Sequence, residues 1–231
     1  MDNRFVSAII LAAGSGSRMS CDITKQRISV LGKSVLKRSV ESFQACEIIS
    51  EIIVVTRADE IDFAKSELFG LDKVSCIVCG GRTRAESASC GLACVSERAE
   101  FIAIHDAARC LVSCDDISKT VKDAFIYGAA TASYKATDTI KQVDQDGCVL
   151  NTLDRSNLVH VLTPQVFLRE VYERAVKNAD LQDPAITDDN MLVERIGIKP
   201  HCTQTSRENV KITYQEDIAY AQFILSRREN G

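Results

Sequence analysis

No apolar run in this chain approaches the roughly 20 residues a membrane-spanning helix needs, so no membrane association is expected. Basic residues are not in surplus: 28 Lys and Arg stand against 32 Asp and Glu, a net charge of −4. That balance argues against a general nucleic-acid-binding surface, and none is expected. Internal repeats and low-complexity linkers are missing too. The 231 residues, 45% hydrophobic and 26% charged, suit a single domain over 1–231 with at most an appendage. The basic start of a secretory leader is lacking as well. Phe5 to Ala13 is apolar and ends in "LAAG", but Asp2 precedes it, and the run reads better as a buried first strand.

Cysteine, by contrast, is plentiful at ten residues. "CIVC" (Cys76, Cys79) has the spacing of a redox or zinc pair. It lies in a β-branched apolar run, where positions three apart point to opposite faces, and no second pair completes a zinc site. Cys90 and Cys94 fall on one face of an expected helix, as small buried hydrophobes do. Many thiols without a leader point to a reducing, cytoplasmic setting.

Apolar strands alternate with amphipathic helical stretches. Strands are expected at "VSAIILA", 51–56, 74–78, 101–106 and 129–135. Helices are expected at 34–46, with Ser34 as N-cap, and at 59–68, 84–96 and 115–127. Such alternation implies an α/β fold, a Rossmann-like three-layer domain with a mainly parallel sheet covered on both faces. Ligands bind such sheets at the carboxyl ends of strands, here the loops after Ala13, Val78 and Ile104. One segment breaks the pattern: 137–155 reads as two strands around an Asp146-Gly147 turn, with few large apolar residues. A protruding hairpin of this kind, about 136–155, fits a dimerisation arm, because exposed strand edges invite a second chain. Helices follow near 168–179, 188–196 and 215–228, with a strand pair near 199–203 and 209–213.

"ILAAGSGSRM" runs a strand into a glycine loop, whose backbone N–H groups suit phosphate oxygens. The dinucleotide fingerprint fails, since Met19 holds the third glycine's place and "IIVVTR" ends without an acid. The P-loop fails as well, since Ser17-Arg18 replaces Gly-Lys-Ser/Thr. What remains is a glycine loop with Arg18 and, seven residues on, Lys25. A forked guanidinium and a movable ammonium beside backbone donors suit a triphosphate; a surface loop with solvated cations fits equally well. "GGRTRAES" (80–87) is a second such loop. "HDAAR" (105–109) puts Asp106 at a strand end, where a carboxylate can hold Mg²⁺ or merely cap a turn. "NVKIT" sets Lys211 between Val210 and Ile212, facing away from both. "ITDD" (186–189) reads as a helix cap by Thr187.

Taken in order, "AAGSGSRM…KQ", "GGRTRAES", "HDAAR", "ATDTIK", "DR…LTPQ.F", "TDD" and "NVKIT…ED" resemble the 2-C-methyl-D-erythritol 4-phosphate cytidylyltransferases over nearly the whole chain. The resemblance implies a nucleotidyltransferase fold. It implies transfer of a cytidylyl group from CTP to a sugar-alcohol phosphate, with pyrophosphate released and Mg²⁺ as cofactor, in isoprenoid precursor synthesis. On matching positions, Arg18 and Lys25 would grip the triphosphate, and Lys211 would lie near the α-phosphate. Asp106 would be the Mg²⁺-linked aspartate. Ala12, Ala13, Gly14, Ser15, Gly16, Gly80, Gly81, Ser87, Asp106 and Ala107 would bind CTP. Thr139 and Arg155 would reach the acceptor phosphate from the arm of a second subunit in a homodimer. Arg109, Thr163, Thr187 and Lys211 would be further acceptor contacts. The chain departs from the pattern at Cys110, where proline is usual, at Arg27 and Ser34, and at Asn190 and Met191. Two other readings remain: a ribitol 5-phosphate cytidylyltransferase with an enlarged acceptor pocket, and a nucleotide-binding module without chemistry.

Overall fold

A computed structural model describes residues 4–14 and 24–229. The chain runs through β1 (Val6–Leu11), the short pair β2 (Ser29–Val30) and β3 (Lys33–Ser34), then α1 (Val35–Gln44), β4 (Glu51–Thr56), α2 (Ile61–Glu67) and β5 (Val74–Cys79). It continues through α3 (Arg84–Leu92), β6 (Phe101–Asp106), α4 (Cys114–Tyr127) and β7 (Ala129–Lys135). After β8 (Lys141–Val143) and β9 (Val149–Thr152) come β10 (Val159–Leu168), α5 (Arg169–Lys177), α6 (Asp189–Arg195), β11 (His201–Gln204) and α7 (Glu216–Glu229). No helix among the described residues is long and apolar enough to cross a membrane.

Seven strands form one sheet in the order β11-β7-β10-β6-β1-β4-β5. Only β10 runs against its neighbours, pairing antiparallel with both β6 and β7. β1 lies between β4 and β6, so the chain crosses from one side of β1 to the other after β5. Such a reversal opens a crevice beyond the strand ends. Here it opens between Leu11 and Asp106, which are register partners.

The strands are apolar along their length because both faces are covered. β1, β4 and β6 are buried almost throughout. On one face Ile10, Ile52 and Val54 pack with Leu36, Phe43 and Val121 of α1 and α4. On the other Ile9, Ile53 and Ile104 pack with Ala88, Tyr172 and Leu192 of α3, α5 and α6. A smaller cluster joins Val30, Cys110, Leu111 and Ile212 to Ala221 and Ile224 of α7.

Several boundaries differ from the sequence reading. β10 was not anticipated. Residues 209–213 form no strand: the Val210 N–H turns back to the Glu208 carbonyl and the Ile212 N–H bonds to the Ala108 carbonyl at 2.8 Å. Helix α3 stops at Leu92, so Cys94 lies in the turn beyond it and does not share a helical face with Cys90. Asp188, not Thr187, caps α6: its extended backbone lets the carboxylate accept from the Met191 N–H, 3.1 Å away. The hairpin forms where expected, with Gly147 at φ 82° in its turn, and both strands are exposed throughout.

Candidate active site

A cavity of about 430 Å³ lies at the carboxyl ends of β1 and β6. Ala13 and Gly14 form part of one wall, Gly81 to Arg84 with Ser87 another, and Lys25, Asp106 and Lys211 complete it. Ser15, Gly16 and Arg18 lie outside the described residues.

The second glycine loop is held rigidly. Thr83 caps α3 and Glu86 reaches back to the Arg82 and Thr83 N–H groups, closing a capping box. The Ser87 hydroxyl donates to the Thr83 carbonyl at 2.9 Å and accepts from the Gly81 N–H at 3.1 Å. A Cβ on Gly80 would meet the Ala13 Cβ and the Ser87 Oγ, each at 2.7 Å, so the two glycine loops approach as closely as a missing side chain allows. Ala12 and Ala107, both buried, tie the loops to the sheet through Ala12 N to Val55 O and Ala107 N to Leu11 O.

Asp106 is the hub. Its Oδ1 accepts from Arg84 Nε at 3.1 Å, and its Oδ2 from Lys211 Nζ at 2.6 Å. Burial works to raise this carboxyl, but the Arg84 guanidinium and the Lys211 ammonium outweigh it and hold the group well below the usual carboxylate range. Arg84 also reaches Asp189 Oδ2 at 2.5 Å, and Asp189 accepts from the Tyr172 hydroxyl at 2.7 Å. Burial opposes charge on Arg84, yet the two carboxylates raise its affinity for the proton. Gln165 fixes the start of α6 by accepting from the Asp189 N–H and donating to Asp188. Lys25, also in the lining, donates to the carbonyls of Ile212 and Thr213, next to Lys211, at 3.3 Å each.

Behind the cavity, Arg109 donates from its NH1 to the Asn209 carbonyl at 3.0 Å, and burial pushes its guanidinium pKa down. Thr163 does not line the cavity. Its hydroxyl faces inward, 3.1 Å from the Asp106 N–H and 2.9 Å from His105 Nδ1. Burial pushes the His105 pKa down to about 3, so its ring is neutral. Thr139, Arg155 and Thr187 also lie outside the cavity wall. The first two sit on the exposed arm, where Arg155 donates to the Thr137 carbonyl, and the Thr187 hydroxyl rests against Met191 Sδ.

Thus the fold brings Lys25, Asp106, Lys211, Ser87, Ala13, Gly14 and Gly81 to one cavity, sets Ala12, Gly80 and Ala107 outside its lining, and leaves Arg109 and Thr163 behind it and the arm residues apart. Sequence reasoning missed Arg84 and Gln26, which line the cavity, and His105, Asn209 and Gln165, which support it. For Arg84 a signal existed: a cation in the first turn of a helix, where the dipole disfavours it, needs a compensating carboxylate.

No group of three or more His, Cys, Asp or Glu side chains among the described residues could by itself hold a metal. Mg²⁺, however, commonly takes one or two protein carboxylates and completes its shell with substrate phosphates and water. An ionised Asp106 lining this cavity fits that donor set.

The chain matches the family model described as 2-C-methyl-D-erythritol 4-phosphate cytidylyltransferase over residues 6–227. A protein of that name from Caldanaerobacter subterraneus subsp. tengcongensis is 39% identical over 225 residues, covering 96% of this chain and 99% of the relative. One from Clostridium acetobutylicum is 39% identical over 223 residues, covering 95% and 97%. Among solved structures, the 4-diphosphocytidyl-2C-methyl-D-erythritol synthase of Anaerococcus prevotii has a TM-score of 0.87 at 32% identity, covering 98% of this chain and all of that one.

Proposed function

Because the chain belongs to the 2-C-methyl-D-erythritol 4-phosphate cytidylyltransferase family, we propose that it transfers a cytidylyl group from CTP to 2-C-methyl-D-erythritol 4-phosphate and releases pyrophosphate, a step of isoprenoid precursor synthesis. The observation that carries this reading is the pairing of Lys211 and Arg84 with one ionised Asp106 in the cavity that Lys25 also lines, beyond the ends of β1 and β6.

The acceptor's phosphate oxygen bonds to the α-phosphorus of CTP while the bond from that phosphorus to the β-phosphate's bridging oxygen breaks, and pyrophosphate leaves with the electron pair. No protein nucleophile is required, so orientation and charge carry the catalysis. Lys211 and Lys25 both line the cavity, and both ammoniums can balance charge that grows on the phosphate oxygens. Arg18 is assigned to the same task by its motif. Asp106 would hold Mg²⁺, which neutralises and orients phosphate oxygens when bound. By the same resemblance, the backbone of Ala13, Gly14 and Gly81, which line the cavity, would read the cytosine base and exclude a purine.

A homodimer built through the arm belongs to the same reading. Val143, Val149, Leu150, Leu153, Val159 and Val161 are exposed along the arm and its root, where they give apolar surface to a second copy. That copy would bring Thr139 and Arg155 to the acceptor phosphate. Free cysteines at all nine described positions suit a cytoplasmic enzyme.

Pyrophosphate release with CTP and Mg²⁺ tests the reading, with methylerythritol 4-phosphate and ribitol 5-phosphate offered side by side. Release with the first alone is expected. Release with the second alone would move the protein to ribitol phosphate chemistry. CTP binding without release from either would leave a nucleotide-binding module.

A further inference from the structure

Directly behind Asp106 lies a buried set of polar groups that the proposed chemistry does not use. His105 is fully buried, with its ring 4.9 Å from that of Phe43. Its Nε2 lies 3.3 Å from the Arg109 carbonyl, and its Nδ1 lies 2.9 Å from the Thr163 hydroxyl. A carbonyl only accepts, so Nε2 carries the hydrogen. The Thr163 oxygen already accepts from the Asp106 N–H, which leaves its own hydrogen for Nδ1. The Asp106 N–H, the Thr163 hydroxyl and the His105 Nε2–H then each meet an acceptor, and only the neutral Nε2–H tautomer achieves that along this path; Arg109 Nε and Asn209 Oδ1 beside it are buried without a partner among the described residues.

Asn209, also fully buried, closes the arrangement. Its side-chain amide donates to the Thr163 carbonyl at 2.8 Å, and its own carbonyl accepts from Arg109 NH1 at 3.0 Å. It stands two residues before Lys211, whose neighbour Ile212 bonds back to Ala108. The His105 ring therefore spans the turn 106–109 from beneath, bonding to its last carbonyl and, through Thr163, to its first N–H. Asn209 connects the same turn to the segment carrying Lys211. A buried polar group without a partner costs about 1–3 kcal/mol, so this array tolerates few rearrangements.

We infer that His105 is a positioning residue: through Thr163 and the Arg109 carbonyl it fixes the turn that aims the Asp106 carboxylate at its two cations, with Asn209 holding Lys211 to the same frame. The inference rests on the proposed cytidylyl transfer for its kinetic consequence, but not for its geometry. His105 touches no substrate. Its contribution is to hold Asp106 and Arg109 in place, and misplacement of a reacting group by about 1 Å can cost on the order of 10² in rate.

The first test uses the unaltered chain. Nitrogen-15 spectra of histidine-labelled protein at neutral pH should show His105 with a bare Nδ1 and a protonated Nε2; the His105→Gln variant assigns the signal among the three histidines. A proton on Nδ1, alone or with Nε2, overturns the proposal. The second test compares His105→Phe, which fills the space but bonds to neither partner, with His105→Gln, whose amide can reach the Arg109 carbonyl. Expected is a fall in kcat of about 10- to 100-fold for Phe with the KM for CTP within about twofold, and partial recovery for Gln. Full kcat in either folded variant overturns the proposal, as does a loss confined to KM. If the Phe variant fails to fold, the Gln variant and the tautomer decide. A wild-type chain with the expected tautomer but no transfer activity would count against the functional reading while leaving the geometry of the turn intact.

Discussion

The ammonium of Lys211 lies 2.6 Å from Oδ2 of Asp106, while the guanidinium of Arg84 holds the other oxygen of the same carboxylate. One anion thus organises two cations from distant parts of the chain. The two are not equivalent: Arg84 is locked to Asp189 as well, whereas the Lys211 side chain is nearly half exposed. Arg84 is the fixed member, and Lys211 is the one able to turn toward a phosphate.

Lys211→Ala is expected to lower kcat by about 10²- to 10³-fold, the usual cost of one lost transition-state contact. Pyrophosphate release measures it. A turnover within threefold of wild type would remove Lys211 from the chemistry.

Asp106→Asn carries a pH signature. The folded-state pKa of Asp106 is depressed, so its contribution to stability is present above the unfolded value of about 3.9 and disappears as pH falls toward the lower folded value. At neutral pH the variant leaves Arg84 and Lys211 short of a counter-charge and should melt several degrees lower, at about 2–4 °C per kcal/mol lost. That gap should narrow steadily as pH drops below about 4. Thermal melts at matched ionic strength check it, and a gap that widens in acid would contradict the ion-pair account.

The arm gives a prediction about assembly. Replacing Val149 and Leu150, both exposed, with aspartate puts charge where a second copy would pack. Light scattering should report a shift from dimer to monomer. The monomer should lose affinity for the sugar phosphate, with KM raised about tenfold or more, while CTP binding changes little. An unchanged dimer would place the interface elsewhere. Arg155→Ala should likewise raise the sugar-phosphate KM before it alters kcat.

Thiol chemistry separates the cysteines. Burial raises both Cys46 and Cys110 to about 11, so neither offers appreciable thiolate near neutral pH. Iodoacetamide at pH 7.5, read by peptide mass spectrometry, should label exposed Cys79 and spare these two until the protein is denatured. Rapid labelling of Cys110 in the native state would show that the loop after Arg109 opens.

The parallel centre of the sheet was legible because β1, β4 and β6 are buried on both faces and read as unbroken apolar runs. β10 was not. His160, Thr163, Pro164 and Gln165 interrupt its apolar pattern; His160 is exposed, while Thr163 and Gln165 are buried in supporting hydrogen bonds. Residues 209–213 erred the other way. Val210 and Ile212 alternate as in a strand, but their backbone is recruited by the turn after β6. Asp106 stood out as a charged residue at a strand end, Lys25 as a cation after the glycine loop, and Lys211 as a charge between two apolar neighbours. His105 and Asn209 left no such trace, since a buried polar residue looks like any other until its partners, 58 and 46 residues away, are known.

The connection between β7 and β10 has a further consequence. These strands are antiparallel neighbours, so everything from 136 to 158, the whole arm included, is the loop of one oversized hairpin. Its root is pinned where the rings of Tyr134 and His160 stack, 4.6 Å apart. Closing a loop costs only about 0.6 kcal/mol more each time its length doubles. The segment proposed to choose the partner subunit is therefore also the one whose length the core constrains least. Insertion, trimming or exchange of arms between relatives can retune assembly while the sheet and its cavity fold as before.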